Sequence, residues 1–317
     1  MTTRPLFHGV ITPIVTPLTR RGDVDEPSLR RLVEFQVSAG VTGLFALGTG
    51  GEGPWTVAPT RRRVLEVVVD QSSGRVPVFA GVSDVGTDRA LESVSDAECA
   101  GCQAVVATPA FYGDNGQAEI LAHFRAIKDR TSLPLAAYDI PSKVGQKIAG
   151  ETTSILAHEG TIVALKDSSG DEDTFRGVID ATQDVPGFAV ITGSDMVADA
   201  ALFQGAHGMI VGMGNIDPHG FVRLYQAFQD DKLDTARTEQ TRLRGLRAVA
   251  LVGLPRIGAF SSTIAGFKAA MVHRRIIATD VMHRPLLQLT DDERRTVVQI
   301  LSGFHLGPAF ADALDGA

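Results

Sequence analysis

Eight short apolar runs recur along the chain, and no other feature restricts its fold as strongly. They cover residues 9–17 (GVITPIVTP), 43–49 (GLFALGT), 76–82 (VPVFAGV), 104–110 (AVVATPA), 134–140 (PLAAYDI), 162–168 (IVALKDS), 188–194 (FAVITGS) and 208–214 (GMIVGMG). Successive runs start roughly 20 to 34 residues apart, the length of a strand followed by a helix. Most are continuous rather than alternating, as parallel strands covered on both faces require, and helical patterns such as 28–38 and 119–129 lie between them. Eight such units predict a closed (β/α)8 TIM barrel.

After Gly214 the strand signals stop, and 218–229, 233–252, 261–274 and 291–301 read as helices. The last opens on Thr290-Asp-Asp-Glu293, a capping-box sequence. No low-complexity stretch or flexible linker interrupts the chain. The expected organisation is a barrel over residues 1–230 with a C-terminal helical extension over 231–317, packed on it or serving assembly.

A chain of 317 residues, 44% hydrophobic and 21% charged, can bury one large core. Its formal charge of −7 provides no basic field for a nucleic acid. The start, MTTRPLFHGV, lacks a signal-type apolar core, and no uninterrupted apolar stretch reaches the roughly eighteen residues of a membrane span. A soluble cytoplasmic protein is expected. Cys99 and Cys102 form Cys-Ala-Gly-Cys, a spacing open to a redox pair. A zinc site usually needs more ligands than they supply, so they read instead as packing residues at a helix end, with no metal expected.

In an α/β barrel the functional groups stand at the C-terminal ends of the strands. Lys166 ends the sixth run inside the barrel, a low-dielectric setting in which lysines serve as nucleophiles toward carbonyls. Buried lysine is rare, and an ion pair with Asp167 or Asp139 is the alternative. Tyr138 ends the fifth run, where its phenol is suited to proton transfer or to a structural hydrogen bond. The turn Gly48-Thr-Gly-Gly-Glu-Gly53 offers consecutive N–H groups to a carboxylate or phosphate, or is only a tight turn. It also spells GxGxxG, which raises a nicotinamide-dependent oxidoreductase as a competitor. Against that, Pro54 and Pro59 fit poorly with a long helix opening there, and no acidic residue closes the third run.

Together, the GTGGE turn, Tyr138-Asp-Ile-Pro141, Lys166-Asp-Ser-Ser-Gly170 and Gly193-Ser-Asp195 resemble the dihydrodipicolinate synthase/N-acetylneuraminate lyase family in order and spacing through nearly the whole chain. The resemblance implies that Lys166 forms a Schiff base with a 2-keto acid of the pyruvate type and that Tyr138 moves the proton at the reacting carbon. It implies a hydroxyl relay from Thr49 and Tyr112, and a carboxylate held by the amides of Thr49, Gly50 and Gly51. Lys143, Gly193, Asp195 and Ile210 complete the implied substrate-binding set. No cofactor is implied; the partners are pyruvate and an aldehyde, and the assembly is a homotetramer built from dimers.

Departures from the family concern the second substrate. Gly50 replaces a hydroxyl residue, as in some aldolases of 2-keto-3-deoxy sugar acids. The segment 108–112 carries one residue more than the synthase form, which aligns Phe111 and Tyr112 with two tyrosines. Lys143 stands where synthases carry Arg and lacks its bidentate fork. Met196 and Gly212 replace an acid and a serine of sialate lyases, leaving Asp195 alone of that polyol-binding set. The expected activity is an aldolase or lyase acting on a hydroxylated 2-keto acid. The alternatives are 4-hydroxy-tetrahydrodipicolinate synthase, a keto-deoxy sugar acid dehydratase and, more remotely, the oxidoreductase or a non-catalytic keto-acid sensor.

Overall fold

The computed structural model describes residues 4–312 and Leu314. Each of the eight runs contains one strand: β1 (Gly9–Pro13), β2 (Gly43–Ala46), β3 (Val78–Gly81), β4 (Ala104–Ala107), β5 (Leu135–Asp139), β6 (Ala164–Asp167), β7 (Ala189–Thr192) and β8 (Gly208–Ile210). They pair in parallel in sequence order, and β8 returns to β1 to close the barrel. The strands are shorter than the runs because flanking residues, such as Val76 and Pro77 before β3 and Leu47 after β2, lie outside the sheet.

The helices are α1 (Glu26–Ser38), α2 (Ala58–Ser72), α3 (Thr87–Ala100), α4 (Gln117–Lys128), α5 (Pro141–Val144), α6 (Gly150–His158) and α7 (Glu172–Ala181). They continue with α8 (Ala198–Gln204), α9 (Pro218–Gln229), α10 (Leu233–Leu246), α11 (Ala248–Leu251), α12 (Ala259–His273) and α13 (Asp291–Gly303). The capping box at Thr290 is formed, and Asp25 caps α1 by accepting from Ser28 N. The stretch 233–252 is two helices rather than one. Bonds of the i→i−3 type at Arg247 (3.2 Å) and Ala250 (2.8 Å) tighten the chain there and break the regular ladder. Among the described residues no helix is long and apolar enough to cross a membrane.

The two-residue period of each strand divides the core in two. Ile11, Phe45, Phe79, Val106, Ala136, Ala164, Ile191 and Ile210 fill the barrel interior, and Phe7 stacks on Phe79 (centroids 4.2 Å) from before β1. Small neighbours make room for these rings. A Cβ on Gly43 would stand 2.9 Å from the Phe79 ring. Val10, Leu44, Val78, Val105, Leu165, Val190 and Met209 point the other way and meet the helices. Leu243, Leu246, Ala265, Met271, Val297 and Leu301 of the C-terminal helices belong to this same outer core. Full burial contributes roughly 1.5–3 kcal/mol per large apolar side chain, so these helices are tied to the barrel by ordinary core packing.

The GxGxxG segment does not open a helix. Gly53–Trp55 forms a 3-10 turn, and α2 begins only at Ala58, with Pro59 in its first turn, where the missing N–H costs nothing. An open nucleotide-binding sheet is likewise replaced by a closed barrel. Cys99 is exposed near the end of α3, while burial pushes the thiol of Cys102 up to about 12.

Candidate active site at the mouth of the barrel

Strand register puts Lys166 and Tyr138 side by side. Tyr138 on β5 is the direct partner of Lys166 on β6. Each lies two residues beyond an inward alanine, Ala136 or Ala164, so both side chains enter the barrel. Lys166 is only 4% exposed. Its ammonium lies 3.8 Å from the centroid of the Tyr138 ring and 4.9 Å from that of Phe45. Aromatic faces attract a cation without fixing its proton as a carboxylate would.

The neighbouring carboxylates face the other side. Asp139 binds the ammonium of Lys147 (2.7 Å) and the N–H of Ile148 (3.1 Å). Asp167 accepts from Ser169 N (2.7 Å) and Ser169 Oγ (2.8 Å). Burial pushes both carboxyl groups above the ordinary range. The ion-pair alternative for Lys166 therefore fails, because its candidate partners have the opposite strand parity.

The glycine-rich turn after β2 bends over this pair. Leu47 and Glu52 take left-handed φ angles of 56° and 57°, and Glu52 N donates to Thr49 O (3.1 Å). Two of its glycines are forced by space: a Cβ on Gly51 would lie 2.8 Å from Ile14 O, and one on Gly53 would lie 1.9 Å from Leu47 O. Gly50 is different. A Cβ there would meet only Pro13 O at 3.5 Å and Ile264 Cδ1 at 3.9 Å, ordinary contacts that a serine or threonine would also make. The absent hydroxyl is thus not dictated by packing.

Two cavities open at the mouth of the barrel, one touching Tyr138 and the other Asp167. Thr49, Tyr138, Phe111 and Lys143 line one of about 220 Å³. Its outer wall is Trp55 stacked on Phe260 (centroids 4.8 Å), with the Lys143 ammonium 4.8 Å above the Phe260 ring. The other, about 530 Å³, is edged by Asp167, Ser168, Ser169, Thr192, Gly193, Ser194, Asp195 and Arg247. A Cβ on Gly193 would stand 1.9 Å from Ser168 Oγ, which would have to rotate away, and 3.0 Å from Asp167 O. Asp167 Oδ2, in a side chain 5% exposed, has no hydrogen-bond partner among the described residues. Asp195 accepts from Met213 N (3.0 Å). Burial pushes its carboxyl up to about 6, against the pull of Arg247 and Lys166.

One chain gathers Lys166, Tyr138, Thr49, Lys143 and the turn glycines, with Asp195 and Gly193 on the far side of the mouth. Ile210 sits in the interior wall below. Tyr112 is not gathered: it is 99% exposed with φ 84°, while its neighbour Phe111 lines the smaller cavity. The sequence reading missed Lys268 and His283, which contact Glu52 beneath the turn. A single lysine inside the apolar stretch Ile264-Ala-Gly-Phe-Lys-Ala-Ala-Met271 was the available signal, since a buried lysine requires a partner.

Residues 6–303 match the Dihydrodipicolinate synthetase family. The chain belongs to this family. Its members are class I, Schiff-base lyases, and this protein is a lyase of that class. It is 35% identical over 241 residues to a 4-hydroxy-tetrahydrodipicolinate synthase of Hyphomonas neptunium, covering 76% of this chain and 82% of the relative. It is 33% identical over 301 residues to a DapA-like lyase of Halobacterium salinarum, covering 95% of each. Among solved structures it resembles YagE from E. coli K12 in complex with pyruvate, at 26% identity and a TM-score of 0.88, covering 95% of this chain and 99% of that one.

The raised carboxyl of Asp195 makes a pH-dependent contribution to stability. Its folded value of about 6 lies above the unfolded value of about 3.9, so the native state binds the extra proton between them. Stability from this group is present below about pH 4 and lost as the pH rises to about 6. Asp195→Asn removes the slope, so its thermal midpoint should gain on the wild type from pH 4 to 6 and run parallel above. Parallel profiles throughout would contradict the burial effect.

Proposed function

We propose that the protein is a pyruvate-dependent class I aldolase that cleaves or makes a 2-keto-3-deoxy sugar acid or a similarly hydroxylated 2-keto acid. The observation that carries this reading is the buried Lys166 ammonium against the Tyr138 ring, on neighbouring inward positions and with no carboxylate within ion-pair distance among the described residues. The polar cavity supports the hydroxylated substrate. Its serine and threonine hydroxyls and Asp195 can accept from a chain of hydroxyl groups.

In the cleavage direction the Lys166 amine adds to the ketone carbon and water leaves, giving an iminium. Tyr138 oxygen takes the proton of the C4 hydroxyl, the C3–C4 bond breaks, and its electron pair enters the iminium as an enamine. The aldehyde departs, C3 regains a proton by way of Tyr138, and water releases pyruvate from the lysine. Amides of Thr49, Gly50 and Gly51 hold the keto-acid carboxylate throughout. The iminium is the electron sink, so the scheme calls on no metal or organic cofactor. Tyr112 completes the hydroxyl relay through Thr49 across a subunit contact of a homotetramer, a dimer of dimers. Its full exposure in one chain supports that placement.

A second reading, 4-hydroxy-tetrahydrodipicolinate synthase, is favoured by Lys143, whose charge at the rim of the smaller cavity suits the carboxylate of aspartate semialdehyde. The names of relatives at 31–35% identity point the same way. A dehydratase of a keto-deoxy sugar acid would use the same iminium.

Treatment with pyruvate and borohydride should add a covalent mass at Lys166. No wild-type adduct, or an equal adduct in Lys166→Ala, would refute the mechanism. Tyr138→Phe should keep much of that trapping yet slow turnover about 10²-fold or more, the weight of a positioned acid or base; unchanged turnover removes the phenol from the chemistry. A panel of aldehydes supplied with pyruvate should show hydroxylated aldehydes consumed fastest, with product identified by mass. Preference for aspartate semialdehyde would select the second reading instead.

A further inference from the structure

Two fully buried charges stand beneath the glycine-rich turn, and no step above uses them. The side chains of Glu52 and of Lys268 on α12 are both 0% exposed and form an ion pair through Glu52 Oε1. Glu52 Oε2 accepts from the backbone N–H of His283 (2.8 Å) and stands 3.2 Å from His283 Nδ1. Lys268 also donates to Val281 O (2.7 Å). Although burial opposes it, the combined pull of Lys268 and His283 holds the Glu52 carboxyl below its ordinary range.

Such a pair is not explained by stability. Removing two charges from water costs several kcal/mol per ion, and well-packed apolar residues in their place are often neutral or stabilising. What an ion pair adds is direction, because a carboxylate held by an ammonium on one oxygen and by the His283 backbone N–H on the other has one allowed orientation. Here that orientation fixes a backbone. Glu52 has a left-handed φ of 57°, which is strained for a residue bearing a Cβ. Its N–H donates to Thr49 O (3.1 Å), and its carbonyl accepts from Thr56 Oγ1 (2.9 Å). The amides of residues 49–51 therefore take their direction from α12 and from the segment between α12 and α13, as well as from β2.

We propose that Glu52, Lys268 and His283 are positioning residues that hold the turn in its keto-acid-binding geometry. The C-terminal helices are then part of the carboxylate site, although none of these three side chains meets the substrate. The proposal rests on the Schiff-base reading of Lys166 and on the turn as the carboxylate cradle.

The test is the pyruvate dependence of borohydride trapping in Glu52→Gln/Lys268→Met, which removes both charges at nearly constant volume and avoids an unpaired ion. The double variant should keep the wild-type circular dichroism and reach the same trapped fraction at saturating pyruvate. Its half-saturating pyruvate concentration should rise about tenfold or more, the effect of losing one charge-assisted hydrogen bond. His283→Ala, which leaves the ion pair in place, should raise it severalfold and provides the second measurement if the double variant does not fold. A purely structural pair would lower the thermal midpoint and leave the pyruvate dependence unchanged, and that result in a folded variant overturns the positioning role alone. Absence of any wild-type adduct would overturn the Schiff-base reading and this proposal with it.

Discussion

Everything at the mouth of this barrel depends on the two-residue period of strands locked into a closed sheet. A slip of one residue in β6 would turn Lys166 out toward the helices and bring Asp167 into the lumen, exchanging an amine for a carboxylate. Such a slip is prevented from both sides. Within the strand, Leu165 would be forced from the outer core into the crowded interior while Ala164 would leave the interior for the outer core. Between strands, β5 pairs with β6 over four consecutive positions, Ala136 with Ala164 through Asp139 with Asp167. The same register that stacks Tyr138 on Lys166 therefore sets their carboxylate neighbours together on the opposite face.

How much of this can be read in the chain follows from what leaves a local trace. The eight strands are legible because a parallel strand covered on both faces must be continuously apolar, and little else in a chain of this length produces eight such runs. Their ends are not legible. Ile14, Val15 and Leu47 remain buried after leaving the sheet, and burial, rather than strand pairing, is what an apolar residue records. The junction at Arg247 is hidden for a related reason, since hydrophobic periodicity continues through α10 and α11 while the hydrogen bonds change type.

Within the site, Lys166 and Tyr138 are legible because polar groups at the end of an apolar strand stand out, and because the strand period fixes where they point. The support beneath the turn is harder to see. Glu52 and His283 are 231 residues apart, and neither has an unusual immediate sequence; only Lys268, alone in an apolar helix, signals a partner to be found. Tyr112 marks a different limit. Adjacent positions in one loop separate completely in space, Phe111 lining the cavity and Tyr112 facing solvent. A positive φ at Tyr112 does this, and backbone conformations of that kind have no reliable signature outside glycine.

Chemistry and selectivity are built from different materials here. The amine and the phenol project from strands, where the barrel holds them rigidly, and the family keeps its iminium reaction on that foundation. The loops that diverge above them carry two unlike walls: aromatic rings with one ammonium on the β2 and β5 side, and hydroxyls with carboxylates on the β6 and β7 side. Under the proposed function, an acceptor would be selected by which wall it can satisfy. On that reading, the hydroxyls and Asp195 of the polar wall are more informative about the acceptor than the glycine at position 50, where the backbone has room for either residue.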